Sequence, residues 1–282
     1  MNNIDGQPDP TKNPLFCGIS TFCRLPIDNK GDIGIIGIPF DSGCTFRPGA
    51  RFGPESIRKN SRLLRAYNRE QGIYPFKNRI VVDGGDIVCS PFNNEKAIEQ
   101  IYKSIKDNFN NFNNLVFLGG DHTISYPILH SLYDKYGKVA LIHLDSHLDT
   151  WDSYFDEKIT HGTPFKRAVD EGYINTAKSL HIGVHGSTNS EEDFIKDKNM
   201  GFTVISGKEI YKNGMDSCID KIKNIVGESP CYISVDIDVV DPAFAPGTGT
   251  PEVGGMSSIQ LISLLQDLQG MNIIGGDIVE VS

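Results

Sequence analysis

The chain runs to 282 residues, 39% of them apolar and 22% charged, enough to bury a sizeable core and within the range of one α/β domain. Its formal net charge of −9 argues against nucleic acid or an anionic membrane as the main partner. That charge mildly favours a small cationic ligand, although acidity serves solubility equally well, and no apolar run reaches the roughly eighteen residues of a membrane span.

Residues 1–31 are polar and proline-rich with little periodicity, and read as an arm or surface-hugging segment; 32–282 read as one domain. The first stretch holds Asp5 and Asp9, no Arg before Arg24 and no apolar leader core. Neither a signal nor a transit peptide is expected there, and the cytoplasm is the expected compartment. Six cysteines, Cys17, Cys23, Cys44, Cys89, Cys218 and Cys231, are scattered without a C-x-x-C pair and read as free thiols of a reducing compartment.

From there the chain alternates. Short, mostly β-branched runs at Ile33–Phe40, Ile80–Val82, Leu115–Leu118, Val139–Leu144, Ser179–Val184, Phe202–Ile205, Cys231–Val235 and Ile273–Val281 lack strict period-two polarity, as strands buried on both faces of a parallel sheet do. Helical stripes lie between many of them: Ile98, Ile101, Tyr102, Ile105 and Phe109 share one face, and Ile259, Ile262, Leu265 and Leu268 another. Pro54 reads as the first-turn proline of a helix carrying Ile57 and Leu64. Repeated strand–helix alternation predicts a single α/β domain with a largely parallel sheet. The last run ends at Val281 and the chain stops at Ser282, with no covering helix after it. The domain is therefore expected to lack a final C-terminal helix, as a truncated chain or an incomplete reading frame would.

Ligands of open α/β sheets gather at the carboxyl ends of strands, and four of the runs end in polar clusters. These are Gly119-Gly120-Asp121-His122, Asp145-Ser146-His147-Leu148-Asp149, Asp236-Ile237-Asp238 followed by Asp241-Pro242, and Gly276-Asp277-Ile278-Val279-Glu280. Asp145, His147 and Asp149 would point to one side if the strand continued, and would converge around a strand end. Asp236 and Asp238 repeat that spacing. Burying so many carboxylates together requires a compensating cation. Imidazole with hard oxygen ligands suits Mn²⁺ best, with Zn²⁺, Ni²⁺ or Fe²⁺ as alternatives. His122, Asp145, His147, Asp149, Asp236 and Asp238 exceed what one such ion needs beside substrate and water, so two ions follow.

Taken singly, each cluster has an ordinary explanation as loop, turn or cap residues; their coincidence at strand ends carries the metal reading. His143, His130, His181 and His185 read as structural, and Asp241 before Pro242 as a turn former. Gly119-Gly120 and Gly247-Thr248-Gly249-Thr250 lack the spacing of a phosphate loop and read as close backbone packing.

Three of these clusters, Gly119-Gly120-Asp121-His122, Asp145-Ser146-His147-Leu148-Asp149 and Ser234 to Pro242 around Asp236-Ile237-Asp238, resemble in this order the metal signatures of the ureohydrolase family of arginases, agmatinases and guanidino-acid hydrolases, over about Gly18 to Glu280. The resemblance implies a three-layer αβα fold with a mainly parallel eight-stranded sheet, two Mn²⁺ ions per subunit, and a homotrimer or homohexamer. It implies that His122, Asp145, Asp149 and Asp236 hold one ion, and His147, Asp145, Asp236 and Asp238 the other, with Asp145 and Asp236 bridging. His161 matches the family's active-site histidine, suited to shuttling protons, and Glu280 the carboxylate that grips guanidinium. Asp149 would pass a proton from the attacking water to the leaving amine. Ser146 stands where the family usually has Ala; its side chain is expected to point away from His147 and Asp145, with little effect on metal binding.

The stretch Thr150-Trp151-Asp152-Ser153-Tyr154-Phe155-Asp156-Glu157-Lys158 lacks the arginase pattern for an amino-acid tail and resembles agmatinases and their guanidino-acid relatives instead. Hydrolysis of agmatine to urea and putrescine is expected, with Asp152, Asp156 or Glu157 attracting the distal ammonium. Guanidinobutyrate, guanidinopropionate or guanidine is the alternative substrate; an acid would call on Arg47 or Arg51. A catalytically silent metal-binding paralogue, or a deacetylase on the same type of fold, fits less well, because His161 and Glu280 are both present.

Overall fold

Runs of β-branched residues without polar alternation need cover on both faces. In the computed structural model, which describes residues 3, 4 and 6–282, they receive it; Asp5 lies outside the described residues. Eight strands form one sheet: β1 (Gly31–Ile38), β2 (Val81–Asp86), β3 (Phe112–Gly119), β4 (Ala140–Leu144), β5 (Leu180–Val184), β6 (Thr203–Ser206), β7 (Cys231–Asp236) and β8 (Ile273–Val279). Their spatial order is β2-β1-β3-β8-β7-β4-β5-β6, and every pairing is parallel. All eight expected runs are strands.

The helices are α1 (Gly53–Ser61), α2 (Asn94–Asn108), α3 (Ser125–Tyr136), α4 (Pro164–Asp170), α5 (Glu192–Met200), α6 (Gly207–Asn213), α7 (Met215–Val226) and α8 (Ser258–Asp267). They divide between two cores. Leu141 of β4 packs with Ile101 and Ile105 of α2, Ile128 and Leu132 of α3 and Phe165 of α4. Its neighbours Ala140, Ile142 and Leu144 point the other way, to Ile210 of α6, Ile222 of α7 and Leu264 of α8, which is the period-two geometry of a strand between two helix layers. The result is the three-layer αβα fold expected.

Two sequence expectations are corrected here. Helix α8, opened by a Ser257/Gln260 capping box, buries Leu261, Leu264 and Leu268, while Ile259 and Ile262 are exposed. Its inward stripe is therefore offset from the one expected, because the apolar residues surround most of the helix and the sheet selects among them. Leu64 falls beyond the end of α1 at Ser61 and is exposed.

Ahead of β1, Cys23 and Leu25 pack on Ile35, Val81 and Leu118, and Gln7 Nε2 donates to the Cys23 carbonyl at 2.7 Å. Asp83 ties this segment down. It accepts the Phe22 N–H at 2.7 Å and a forked pair from Arg58 at 2.8 and 3.0 Å. All six cysteines are free thiols. Among the described residues no helix is long and apolar enough to cross a membrane. The four strands whose ends carry polar clusters, β3, β8, β7 and β4, are contiguous at the middle of the sheet.

Candidate metal centre

Each of those strands stops at or just before its functional residues. After β3 the chain turns at Gly120 (φ +39°), where a Cβ would lie 2.5 and 2.6 Å from the Ile38 and Phe40 carbonyl oxygens. Only glycine fits there, and the turn delivers His122 to the short helical turn before α3. Strand β4 ends at Leu144, so Asp145, His147 and Asp149 do not alternate along a strand; they converge around a loop that Asp149 closes in a left-handed conformation (φ +53°). Asp236 ends β7 and accepts the Asp238 N–H at 2.8 Å. Glu280 follows β8, also left-handed (φ +62°), and its N–H donates to Gly120 O at 2.8 Å. Two non-glycine residues in this sparsely populated region mark a strained site held by its surroundings.

The side chains meet. His122 Nδ1 lies 3.1 Å from Asp145 Oδ2, 2.9 Å from Asp149 Oδ2 and 3.3 Å from Asp236 Oδ2. On the other side, His147 Nδ1 lies 3.3 Å from Asp145 Oδ1 and 3.1 Å from Asp238 Oδ2. Asp145 therefore presents one oxygen to each half of the cluster. Asp236 presents Oδ2 to the His122 half, its Oδ1 being held by the Asp238 N–H. All six side chains expected from the sequence come together.

Does this donor set fit a cation? Ser234 Oγ donates its one proton to Asp277 Oδ1 at 2.7 Å, so it receives the proton of His122 Nε2, 2.9 Å away. That bond leaves Nδ1 of a neutral ring as a lone pair facing three carboxylate oxygens, and buried Nδ1 has no hydrogen-bond partner. Such an arrangement repels itself unless a cation sits among the donors. Ligands about 2.1 Å from one ion and at right angles lie about 3.0 Å apart, which matches the observed edges. Protonation behaviour agrees. Burial opposes charge on His122 and His147, yet the aspartates raise His122 well above its ordinary pKa and His147 to about 12. Burial, with Asp238 and Asp145 nearby, raises Asp236 well above the carboxylate range. The site gathers positive charge, as protons when nothing else is there.

Beside it, Glu280 is 1% exposed. Its Oε1 accepts the His122 N–H at 2.8 Å and faces His161 Nδ1 at 2.9 Å, while buried Oε2 has no partner. The Thr45 N–H donates to His161 Nε2 at 3.1 Å, which leaves the ring proton on Nδ1, directed at Glu280. Burial lowers the His161 pKa, but Glu280 outweighs it and raises the value to about 9, above the neutral range expected of a shuttle. Asp121, wholly buried, is raised to about 7 by burial and by the Glu280 charge.

A cavity of about 690 Å³ opens onto this cluster, lined among others by Thr45, His147, Asp149, His161, Trp151 and Asp193. Asp152 also lines it; its side chain is 71% exposed, with Oδ1 bound to Arg167 Nη2 at 2.7 Å. Arg51 is paired with Asp41, Arg47 Nε donates to Gly249 O at 3.1 Å, and neither lines the cavity.

Ser146 corrects a further expectation. Its Oγ donates to Asp238 Oδ1 at 2.8 Å and lies 3.1 Å from His147 Nδ1. With the strand already ended at Leu144, no alternation carries this side chain to the opposite face. Sequence reasoning also passed over His143, whose Nε2 is 2.8 Å from Asp145 Oδ2, and over Thr45, Ser234 and Asp277. Polar residues inside predicted buried strands, as His143, Ser234 and Asp277 are, were the available signal.

The sequence pattern of the Arginase family matches residues 31–282. Mitochondrial agmatinase of Gallus gallus is 38% identical over 268 residues, 94% of this chain and 79% of that protein. Guanidinobutyrase of Pseudomonas aeruginosa is 40% identical over 275 residues, 95% of this chain and 86% of its own. Among solved structures, proclavaminate amidino hydrolase from Streptomyces clavuligerus superposes with a TM-score of 0.92 at 37% identity, covering 96% of this chain and 91% of that one.

Proposed function

The chain belongs to the arginase family of C–N hydrolases, and from that premise we propose that it is a binuclear Mn²⁺ amidinohydrolase releasing urea from agmatine, with putrescine as the other product. One observation carries the reading. His122 Nδ1, buried and without a hydrogen-bond partner, faces three carboxylates beside the unpartnered Glu280 Oε2. The first calls for metal cations and the second for a guanidinium N–H.

His122, Asp145, Asp149 and Asp236 would hold one ion, and His147, Asp145, Asp236 and Asp238 the other. When bound, the pair would supply a nucleophile from water at neutral pH. Glu280 holds the guanidinium through Oε2 while Oε1 stays on the His122 N–H. Asp149 takes the proton of the attacking water and returns it to the departing amine. His161 keeps Nδ1–H on Glu280 and offers the Nε2 edge, at Thr45, for proton exchange with the cavity. Catalytic roles thus go to Asp149, His161 and Glu280.

For the tail, Asp193 supports agmatine: it lines the cavity and its buried Oδ2 has no partner. Lys196 lines the same cavity, tied only to Glu192 at 3.8 Å, and favours a guanidino acid as the second reading. The same proposal keeps 32–282 as one domain and the cytoplasm as its compartment on the sequence reading, and takes a homotrimer or homohexamer as its assembly on the family resemblance. Urea release by the Mn²⁺-loaded protein from agmatine, 4-guanidinobutyrate, 3-guanidinopropionate, arginine and guanidine tests it. Urea from none of them in a folded, loaded sample overturns the activity. Urea only from an acid overturns agmatine.

A further inference from the structure

Behind the metal cluster runs a buried polar chain that the reaction does not use. Asp145 Oδ2, besides facing His122, is 2.8 Å from His143 Nε2. His143 Nδ1 is 2.6 Å from His181 Nδ1, and His181 Nε2 is 3.4 Å from Asp197 Oδ1. That same Asp197 oxygen accepts the Thr150 hydroxyl at 3.0 Å, and Thr150 is the residue after Asp149. His143, His181 and Asp197 are each 0% exposed. One carboxylate on α5 therefore touches the surroundings of two of the proposed ligands: it is hydrogen-bonded to Thr150, the chain neighbour of Asp149, and in 3.4 Å contact with the histidine pair that ends on Asp145.

We propose that Asp197 is a positioning residue for the metal centre, fixing Asp145 and Asp149 together and thereby setting metal affinity; this rests on the metal reading above. A packing role would not call for these groups. His181 already sits against Phe165 and Phe202, where an apolar side chain would pack without cost. Asp197 Oδ2 has no hydrogen-bond partner, and His181 Nε2 faces Asp197 Oδ1 at 3.4 Å without hydrogen-bonding to it, which costs stability rather than adding to it. Groups that orient ligands from outside, by contrast, control affinity strongly when they are lost. Asp197 also sits on the helix that lines the substrate cavity with Asp193 and Lys196, so the cavity wall and the ligand loop share one anchor.

The test is Mn²⁺ titration of the purified protein by calorimetry and electron paramagnetic resonance, with thermal unfolding and the kcat–KM split measured alongside. Asp197→Val is expected to bind Mn²⁺ about tenfold or more weakly while unfolding cooperatively. Its KM at saturating Mn²⁺ should stay near that of the parent. Asp197→Asn, which keeps an acceptor for Thr150, should recover part of the affinity. Unchanged affinity in folded Asp197→Val overturns the proposal. Should that variant not fold, the single-branch variants decide. His181→Phe should weaken both ions, and Thr150→Val only the ion facing His122; parental binding in both overturns the proposal. Absence of Mn²⁺ binding by the parent itself overturns the metal reading, and this inference with it.

Discussion

Ser146 Oγ lies 2.8 Å from Asp238 Oδ1 and donates to it, while the Ser146 N–H reaches the same oxygen at 3.1 Å. Two donors from one residue thus orient a carboxylate whose other oxygen faces His147. Ser146→Ala removes one of them without leaving a large void. We expect the ion on the His147 side to bind about tenfold more weakly, with the melting temperature of the metal-free protein little changed. Mn²⁺ titration followed by electron paramagnetic resonance checks this; equal affinity would show the hydroxyl to be idle.

Loading should release protons. In the metal-free site the paired aspartates hold the His147 pKa at about 12 against burial, and burial with Asp145 raises Asp238 to about 6. At pH 7 His147 therefore carries a proton that a cation must displace. Mn²⁺ affinity should rise with pH, and binding heats measured in buffers of different ionisation enthalpy should report the released protons. Affinity independent of pH between 6 and 8, a range of about two units around neutrality, would contradict the donor assignment.

Glu280→Gln keeps an oxygen for the His122 N–H but removes the charge. A charge-assisted hydrogen bond contributes about 1.5–3 kcal/mol, so kcat/KM should fall on the order of tenfold to 150-fold with Mn²⁺ content intact. Glu280 is also what raises His161 to about 9 over the effect of burial. The histidine's titration, followed by NMR in the metal-free protein, should move to lower pH in the variant. An unmoved titration would place the origin of the shift elsewhere.

Outside the candidate metal centre, Arg58 is buried between Asp83 and Asp86, at 2.8 and 2.6 Å. Arg58→Met leaves Asp83 buried and without its ion-pair partner, which typically costs about 3–5 kcal/mol. Chemical denaturation should show that loss. Asp83 also receives the Phe22 N–H, so the segment before β1 should become the first site of proteolysis. A variant as stable as the parent would mean that the pair merely offsets its own desolvation.

The sheet was legible because strands covered on both faces need runs such as Ala140–Leu144, and nothing in such a run competes with that demand. The candidate site was legible because carboxylates gathered at strand ends repel one another, a condition that can be read from residue type and spacing. Orientation was another matter. Whether Ser146 faces Asp238 depends on β4 ending at Leu144 and on Asp149 taking a left-handed conformation, and neither is written in residue type. Asp197 is 47 residues beyond Thr150 and pairs with it only through the fold. Helix α8 shows the same limit: with apolar residues all round, only the partner surface decides which are buried.

The place of β8 has a consequence for how the molecule is made. It pairs with β3 on one side and β7 on the other, so the two halves of the sheet are not joined by strand pairing until residues near 275 have left the ribosome. Contacts closed over so long a stretch of chain form slowly. Every proposed ligand is translated before Glu280, and β8 must separate His122 on β3's side from Asp236 on β7's before their spacing exists. Ions offered to the nascent chain would meet scattered aspartates. The centre is an object of the finished sheet, and its maturation should keep pace with insertion of that strand.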